Sequence, residues 1–413
     1  MSLANGRPYL AIPGPSTIPD RVLAAMHRPA PNIYSGPLHD MVAGLWPDLR
    51  AVARTRQHVA IYIGNGHAAW EAANANIFSR GDRALVLATG RFGHGWADAA
   101  RRMGVDVEVI DFGRQSPADP DRLSQALAAD RDKAIRAVLV THTDTASTVR
   151  NDIAALRAAM DATGHPALLM VDCIASLGCD RFEMDGWGVD VMIAASQKGL
   201  MVPPGLAFVW FSDKARDVAR QADLRTPYWA WEPRAFASEF YQNFCGTAPT
   251  HHLFGLREAL TMLLHEEGLE AAWDRHARLA RAIWAAVEAW GAGGAMRLNV
   301  TNPAFRSHSV TSISITPPLG TALRDWTETQ AGVTLGIGLG MADSNDPAWH
   351  GFFRIAHMGH VNAHMTLGAL AVIGAGMVAL DIPHGAGAMD RAAEALKMPV
   401  PRGSAGADLS LPR

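Results

Sequence analysis

The feature that most constrains this chain is a succession of short apolar runs separated by helical segments. Such runs occupy residues 58–63, 83–88, 105–111, 135–141, 167–171, 189–194 and 206–211. Most are apolar throughout rather than alternating, the pattern of strands buried on both faces. Segments at 67–79, 93–103, 120–129 and 152–163 read as helices lying between several of them. Asp119 stands where a helix cap is expected, with Pro120 suited to the first helical position. Asp152 falls likewise at the start of its helical run. Strands alternating with helices, joined by right-handed crossovers, imply an α/β fold with a mixed, mostly parallel sheet.

The pattern changes after residue 250. Residues 252–291 read as one long helical region. The stretch S-V-T-S-I-S-I (309–315) alternates like a half-exposed strand, F-F-R-I-A-H (352–357) fits another, and 361–380 reads as a helix. A chain of 413 residues accommodates a large domain and a smaller one. The expected division is an N-terminal segment 1–20, a large domain 21–265 and a small C-terminal α+β domain 266–385. A short helix near 386–396 and a loose tail fill 386–413.

Composition removes several functions. A net charge of −3 offers no basic field for nucleic acid. The three cysteines, Cys173, Cys179 and Cys245, match neither a disulfide framework nor a zinc site, which suggests a reduced, cytoplasmic setting. The first residues show no signal-peptide pattern. The longest apolar stretch, 366–380, is interrupted by glycines and short for a bilayer, so no membrane partner is expected.

Ligands of an open parallel sheet bind at its strand-to-helix turns, and four of those turns carry unusual residues. Lys198 closes V-D-V-M-I-A-A-S-Q-K-G and is one of only four lysines, with Lys133, Lys214 and Lys397 in ordinary solvated contexts. An amine at the mouth of a buried strand either snorkels to water or loses its proton, and a neutral amine is a nucleophile. Asp172 ends a fully apolar run and needs a cationic partner. The cluster T-H-T-D-T-A-S (141–147) supplies hydroxyls. The turn G-N-G-H-A-A, from residue 64, precedes a helix whose free N–H groups suit a phosphate. Alone, that turn fits a dinucleotide site equally well, although Ala69 replaces the third glycine of that fingerprint. Together, the four turns supply what pyridoxal 5′-phosphate requires: a lysine for its aldehyde, an acid for its ring nitrogen, and donors for its phosphate.

Six segments in order then resemble one family. They are I-P-G-P-S (12–16), G-N-G-H-A-A-W-E-A (64–72), T-H-T-D-T-A-S (141–147), H-P-A-L-L-M-V-D (165–172), A-S-Q-K-G-L (195–200) and F-R-I-A-H-M-G (353–359). The chain resembles, over about residues 9–382, the class V aminotransferases of fold type I, serine–glyoxylate and alanine–glyoxylate enzymes above all. The resemblance implies pyridoxal 5′-phosphate bound covalently to Lys198, which later moves the Cα proton. Asp172 would pair with the ring nitrogen. Gly66, His67 and Gln197 would hold the phosphate, and Thr247 would reach the phosphate of a neighbouring subunit in a homodimer. Phe92 would stack on the ring, Thr145 would contact its phenolic edge, and Arg354 would grip the substrate carboxylate. Glyoxylate is the implied acceptor, with pyruvate second. The chain departs from the family at N-I-Y-S-G-P (32–37), where Tyr34 stands in place of a histidine–arginine pair beside the substrate. It departs again in the aromatic-rich stretch 227–246 and at Thr148, which replaces a common glycine. A lyase or cysteine desulfurase, and a ligand sensor without turnover, are the alternatives on the same fold.

Overall fold

The computed structural model describes residues 2–397. Its strands, in chain order, are β1 (Tyr9–Ala11), β2 (His58–Gly64), β3 (Arg83–Ala88), β4 (Asp106–Asp111), β5 (Ile135–Thr141) and β6 (Leu168–Asp172). They continue with β7 (Val191–Ala195), β8 (Gly205–Phe211), β9 (Arg297–Leu298), β10 (Val310–Ser314), β11 (Val333–Ile337) and β12 (Phe352–Ala356). Seven of them form one sheet in the order β2-β8-β7-β6-β5-β3-β4. Only β8 runs against its neighbours, so the carboxyl ends of β2, β3, β5, β6 and β7 share one edge.

The continuous apolar runs are explained by what each face touches. On β5, Val138 and Val140 enter one core while Ala137 and Leu139 enter the other. The same split recurs on β6 (Leu169 and Val171 against Leu168 and Met170) and on β8 (Phe208 and Trp210 against Val209 and Phe211). Side chains alternate faces along a strand, so a strand covered on both sides is apolar at successive positions. The caps at Asp119 and Asp152 are present, accepting from the N–H groups of Asp121 (2.8 Å) and Ala155 (3.0 Å).

The second sheet has the order β1-β11-β12-β10-β9 and its own core against helices Leu269–Gly291 and Ala363–Ala379. The start of the chain is built into this layer: β1 pairs parallel to β11. The expected helix near 386–396 is found at Ala388–Ala395 and packs on Leu269–Gly291, with Ala388 and Ala392 in the same core. The tail expected beyond it falls outside the described residues.

The long helical region at 252–291 is not one helix. It comprises Thr250–Leu260, a wide π-type turn at Thr261–Glu267, and Leu269–Gly291. Gly268 separates the last two with φ of +86°, a conformation that other residues rarely adopt. The structure thus corrects the expectation of uninterrupted helix.

Candidate active site

The turns following β2, β3, β5, β6 and β7 converge on a cavity of about 140 Å³. Asn65, Gly66, His67, Trp70, Phe92, Thr143, Thr145, Asp172, Ile174, Gln197 and Lys198 line it. His67, Trp70 and Phe92 also border a wider cleft of about 1080 Å³, whose far wall comes from the second sheet and its loops at Asn299, Ser314 and residues 339–343.

Lys198 is held by its turn. Ser196 Oγ donates to the Pro203 carbonyl (2.7 Å) and accepts from the Leu206 N–H (3.2 Å). Ser16, from the N-terminal segment, donates its hydroxyl to the Lys198 carbonyl (2.7 Å) and its N–H to the Gln197 carbonyl (2.9 Å). The ammonium itself donates to the Pro13 carbonyl. Gly14 has φ of +122°, and a side chain there would collide with the Lys198 ammonium. Burial lowers the Lys198 pKa to about 8, assisted by the Arg354 charge and opposed by Asp172.

Asp172, at the end of β6, is 3 % exposed. Its Oδ1 accepts from the Ile174 N–H (2.7 Å) and its Oδ2 from the Trp70 indole N–H (2.7 Å). Burial nevertheless raises its pKa to about 7. The cavity therefore holds an amine and an acid whose pKa values burial moves toward neutrality, the mark of a candidate functional site.

The helix Gly66–Ile77 begins at the cavity, capped by Asn65. The Asn65 side chain takes the His67 N–H (3.1 Å), so that expected phosphate donor is engaged within the chain. Phe92 lies at the start of helix Arg91–Arg102, where its N–H donates to Asp144 (2.7 Å). The same fully buried carboxylate accepts from the N–H groups of Gly93, Ala146 and Ser147, tying the turn after β5 to that after β3. Arg354, on β12 and 4 % exposed, donates to the carbonyls of Ile337 (2.8 Å) and Thr145 (2.7 Å). It thereby braces the turn after β5 from the second sheet, a task that the sequence did not reveal. Burial lowers its pKa to about 10.

The remaining sequence expectations divide. Gly66, Thr145 and Gln197 line the cavity. Tyr34 is 86 % exposed and Thr247 is exposed, and neither lines the cavity of its own chain. Trp70, Asp144, Thr143 and Asn65 were not singled out. The only sequence signal for Trp70 was its place within the G-N-G-H-A-A-W-E-A turn.

A mostly parallel seven-stranded sheet carrying a lysine and an acid on adjacent strand ends, beside a second small sheet, defines the fold type I transferase class. The chain belongs to the aminotransferase class-V family, whose sequence profile matches residues 8–338. It is 38 % identical over 386 residues to a serine–glyoxylate aminotransferase of Methylorubrum extorquens, covering 91 % of this chain and 92 % of the relative. It is 36 % identical to an L-aspartate–glyoxylate aminotransferase of Paracoccus denitrificans, with coverages of 90 % and 91 %. Among solved structures, a pyridoxamine–pyruvate aminotransferase of Mesorhizobium loti superposes with a TM-score of 0.86 at 26 % identity, covering 96 % and 99 % of the two chains.

Proposed function

We propose that this enzyme transfers the amino group of a small α-amino acid to glyoxylate, using pyridoxal 5′-phosphate held on Lys198. The observation that carries the reading is the Lys198 amine sharing one cavity with the Asp172 carboxylate. The names of the relatives, serine–glyoxylate and L-aspartate–glyoxylate aminotransferase, support glyoxylate as acceptor. The structural neighbour that uses pyruvate keeps pyruvate as the second acceptor.

The residues present fit the cofactor. Thr143 Oγ1 and Gln197 Oε1 are buried at the cavity without a hydrogen-bond partner, and a polar ligand would satisfy them. Gly66 begins a helix, the usual place for a phosphate. Phe92 offers an aromatic wall. When bound, the cofactor supplies an electron sink for the donor's Cα.

The chain's own residues do the rest. Asp172, as a carboxylate, holds a proton on the ring nitrogen. Lys198 Nζ, neutral above about pH 8, takes the Cα proton and delivers it to the carbon that receives it in each half-reaction. Arg354 orients the α-carboxylate common to donor and acceptor, for which a planar guanidinium is matched. Thr247 is exposed and outside its own cavity; in this reading it serves the phosphate end of a second subunit's site, with a homodimer as the working unit.

A desulfurase reading requires a thiolate at the substrate. Cys173 and Cys179 are buried in the cores with thiols pushed up by burial, and Cys245 lies outside the cavity with its thiol facing the Pro227 carbonyl. Among the described residues no helix is long and apolar enough to cross a membrane. The test is a donor-by-acceptor screen of the purified protein, following glycine formed from glyoxylate. Glycine with serine, alanine or aspartate as donor is expected. No amino transfer to glyoxylate or pyruvate from any donor would refute the proposal.

A further inference from the structure

We infer that Trp70 is a positioning residue for the reaction: its indole N–H fixes the Asp172 carboxylate and keeps it anionic toward the cofactor's ring nitrogen. The inference rests on the role given to Asp172 above. Two donors from different elements divide the carboxylate. Ile174, from the turn after β6, takes Oδ1, and Trp70, from helix Gly66–Ile77, takes Oδ2, each at 2.7 Å. Both are N–H groups that can only donate, so both favour the carboxylate over the acid.

The indole is not free to turn. Its ring lies parallel to that of Trp96, with centroids 6.4 Å apart and planes 9° from parallel. It meets Phe92 and His67 edge-on at 6.3 and 4.7 Å. Trp70 is 2 % exposed, and its bond to Asp172 is made away from water, where a charge-assisted hydrogen bond counts most. It stands one turn after Gly66 and His67. The helix that presents its N-terminus to one end of the cofactor therefore also holds the acid for the other end.

The charges around Asp172 do not fix it alone. Asp144, on the turn after β5, disfavours the anion, while Lys198, on the turn after β7, favours it. Cys173, next in the chain, is kept neutral by burial, and His67 packs on the indole edge. Burial is the largest influence and disfavours the anion; Asp144 adds to it, and the two N–H donors, with Lys198, work against both.

Trp70→Phe keeps an aromatic ring beside Trp96 and removes the donor. In the holoenzyme, the acid-side pH titration of the bound cofactor's absorbance should move up by about one pH unit or more, the size of a lost hydrogen bond to a charged group. Removing the bond raises the Asp172 pKa, so the acid is neutralised at higher pH. The dissociation constant of pyridoxal 5′-phosphate should rise roughly tenfold and kcat should fall roughly tenfold, with KM for the donor nearly unchanged. In an Asp172→Asn background Trp70→Phe should produce none of these shifts, because no anion remains to hold. Trp96→Phe disturbs the same stack without touching Asp172 and should leave the titration in place. An unmoved titration in Trp70→Phe, or equal costs in both backgrounds, would reduce Trp70 to packing and overturn the inference. Absence of cofactor absorbance from the unsubstituted protein would instead overturn the reading of the whole site.

Discussion

Replacing Arg354 by lysine separates substrate recognition from architecture. The guanidinium, 4 % exposed, is braced by two carbonyls, Ile337 through Nε and Thr145 through Nη1. A lysine carries the charge but not the fork, so it cannot keep both bonds and also meet a carboxylate bidentately. Losing a paired charge contact in a buried site costs about 2–5 kcal/mol. That corresponds to a fall in kcat/KM of roughly 30-fold to a few thousandfold. A second loss is structural: the Thr145 carbonyl left without its donor costs about 1–3 kcal/mol of stability. The two losses act on different substrates. Loosening of the Thr145 turn slows every substrate alike, whereas loss of carboxylate recognition slows only substrates that carry one. The assay is single-turnover kinetics of each half-reaction, with an amino acid against its decarboxylated amine in the first and a 2-oxo acid against the corresponding aldehyde in the second. The expected result is a loss for the carboxylate-bearing substrate at least tenfold greater than for its carboxylate-free counterpart, in both half-reactions. Equal losses, or none, would refute the carboxylate clamp and leave Arg354 a brace.

Further outcomes follow from the same geometry. Asp172→Asn should lower turnover by roughly 10²-fold, because stabilising developing charge is commonly worth ~3–4 kcal/mol; steady-state kinetics at saturating cofactor check this. In the cofactor-free protein the Asp172 pKa is raised from 3.8 to about 7, so between these values the folded state binds more protons than the unfolded one and this acid's contribution to stability falls as pH rises. Asp172→Asn should remove that fall, as thermal melts across the window would show. Covalent capture of added cofactor should quicken with pH and level off above about 8, as the Lys198 amine loses its proton; stopped-flow absorbance reads this, and a rate that falls with pH would contradict it. Gly14→Ala should cost about 1–3 kcal/mol for a strained backbone and displace Lys198 from the cavity, seen as lowered stability together with slowed cofactor capture.

What the sequence disclosed, and what it withheld, follows from how far each effect is local. The strands of the large sheet were legible because burial on both faces writes an uninterrupted apolar run, as at 135–141 and 206–211. Lys198 and Asp172 were legible because ionisable groups at the ends of such runs are out of place without a task. β1 and β9, of three and two residues, are too short to carry a period, and β1 exists only because β11 is there to pair with it. The break at Gly268 was hidden by apolar periodicity on both sides of it. The Trp70–Asp172 bond joins residues 102 apart, and the Arg354–Thr145 bond residues 209 apart. No local pattern marks either. Asp144 read as part of a polar turn, although its four backbone bonds set where Phe92 and Thr145 stand. Tyr34 and Thr247 lie outside their own chain's cavity, and the fold of one chain gives neither of them a contact with it.

The central claim is that one lysine carries the cofactor, and reduction of the holoenzyme with borohydride followed by peptide mapping tests it most directly. Among the four lysines, Lys198 alone lines the cavity and is held beside Asp172, with its pKa lowered to about 8. The reduced cofactor should be found on the peptide containing Lys198 and on no other, with Lys198→Ala losing the label while remaining folded. Label on Lys133, Lys214 or Lys397, or no label on a protein that still transaminates, would contradict the account.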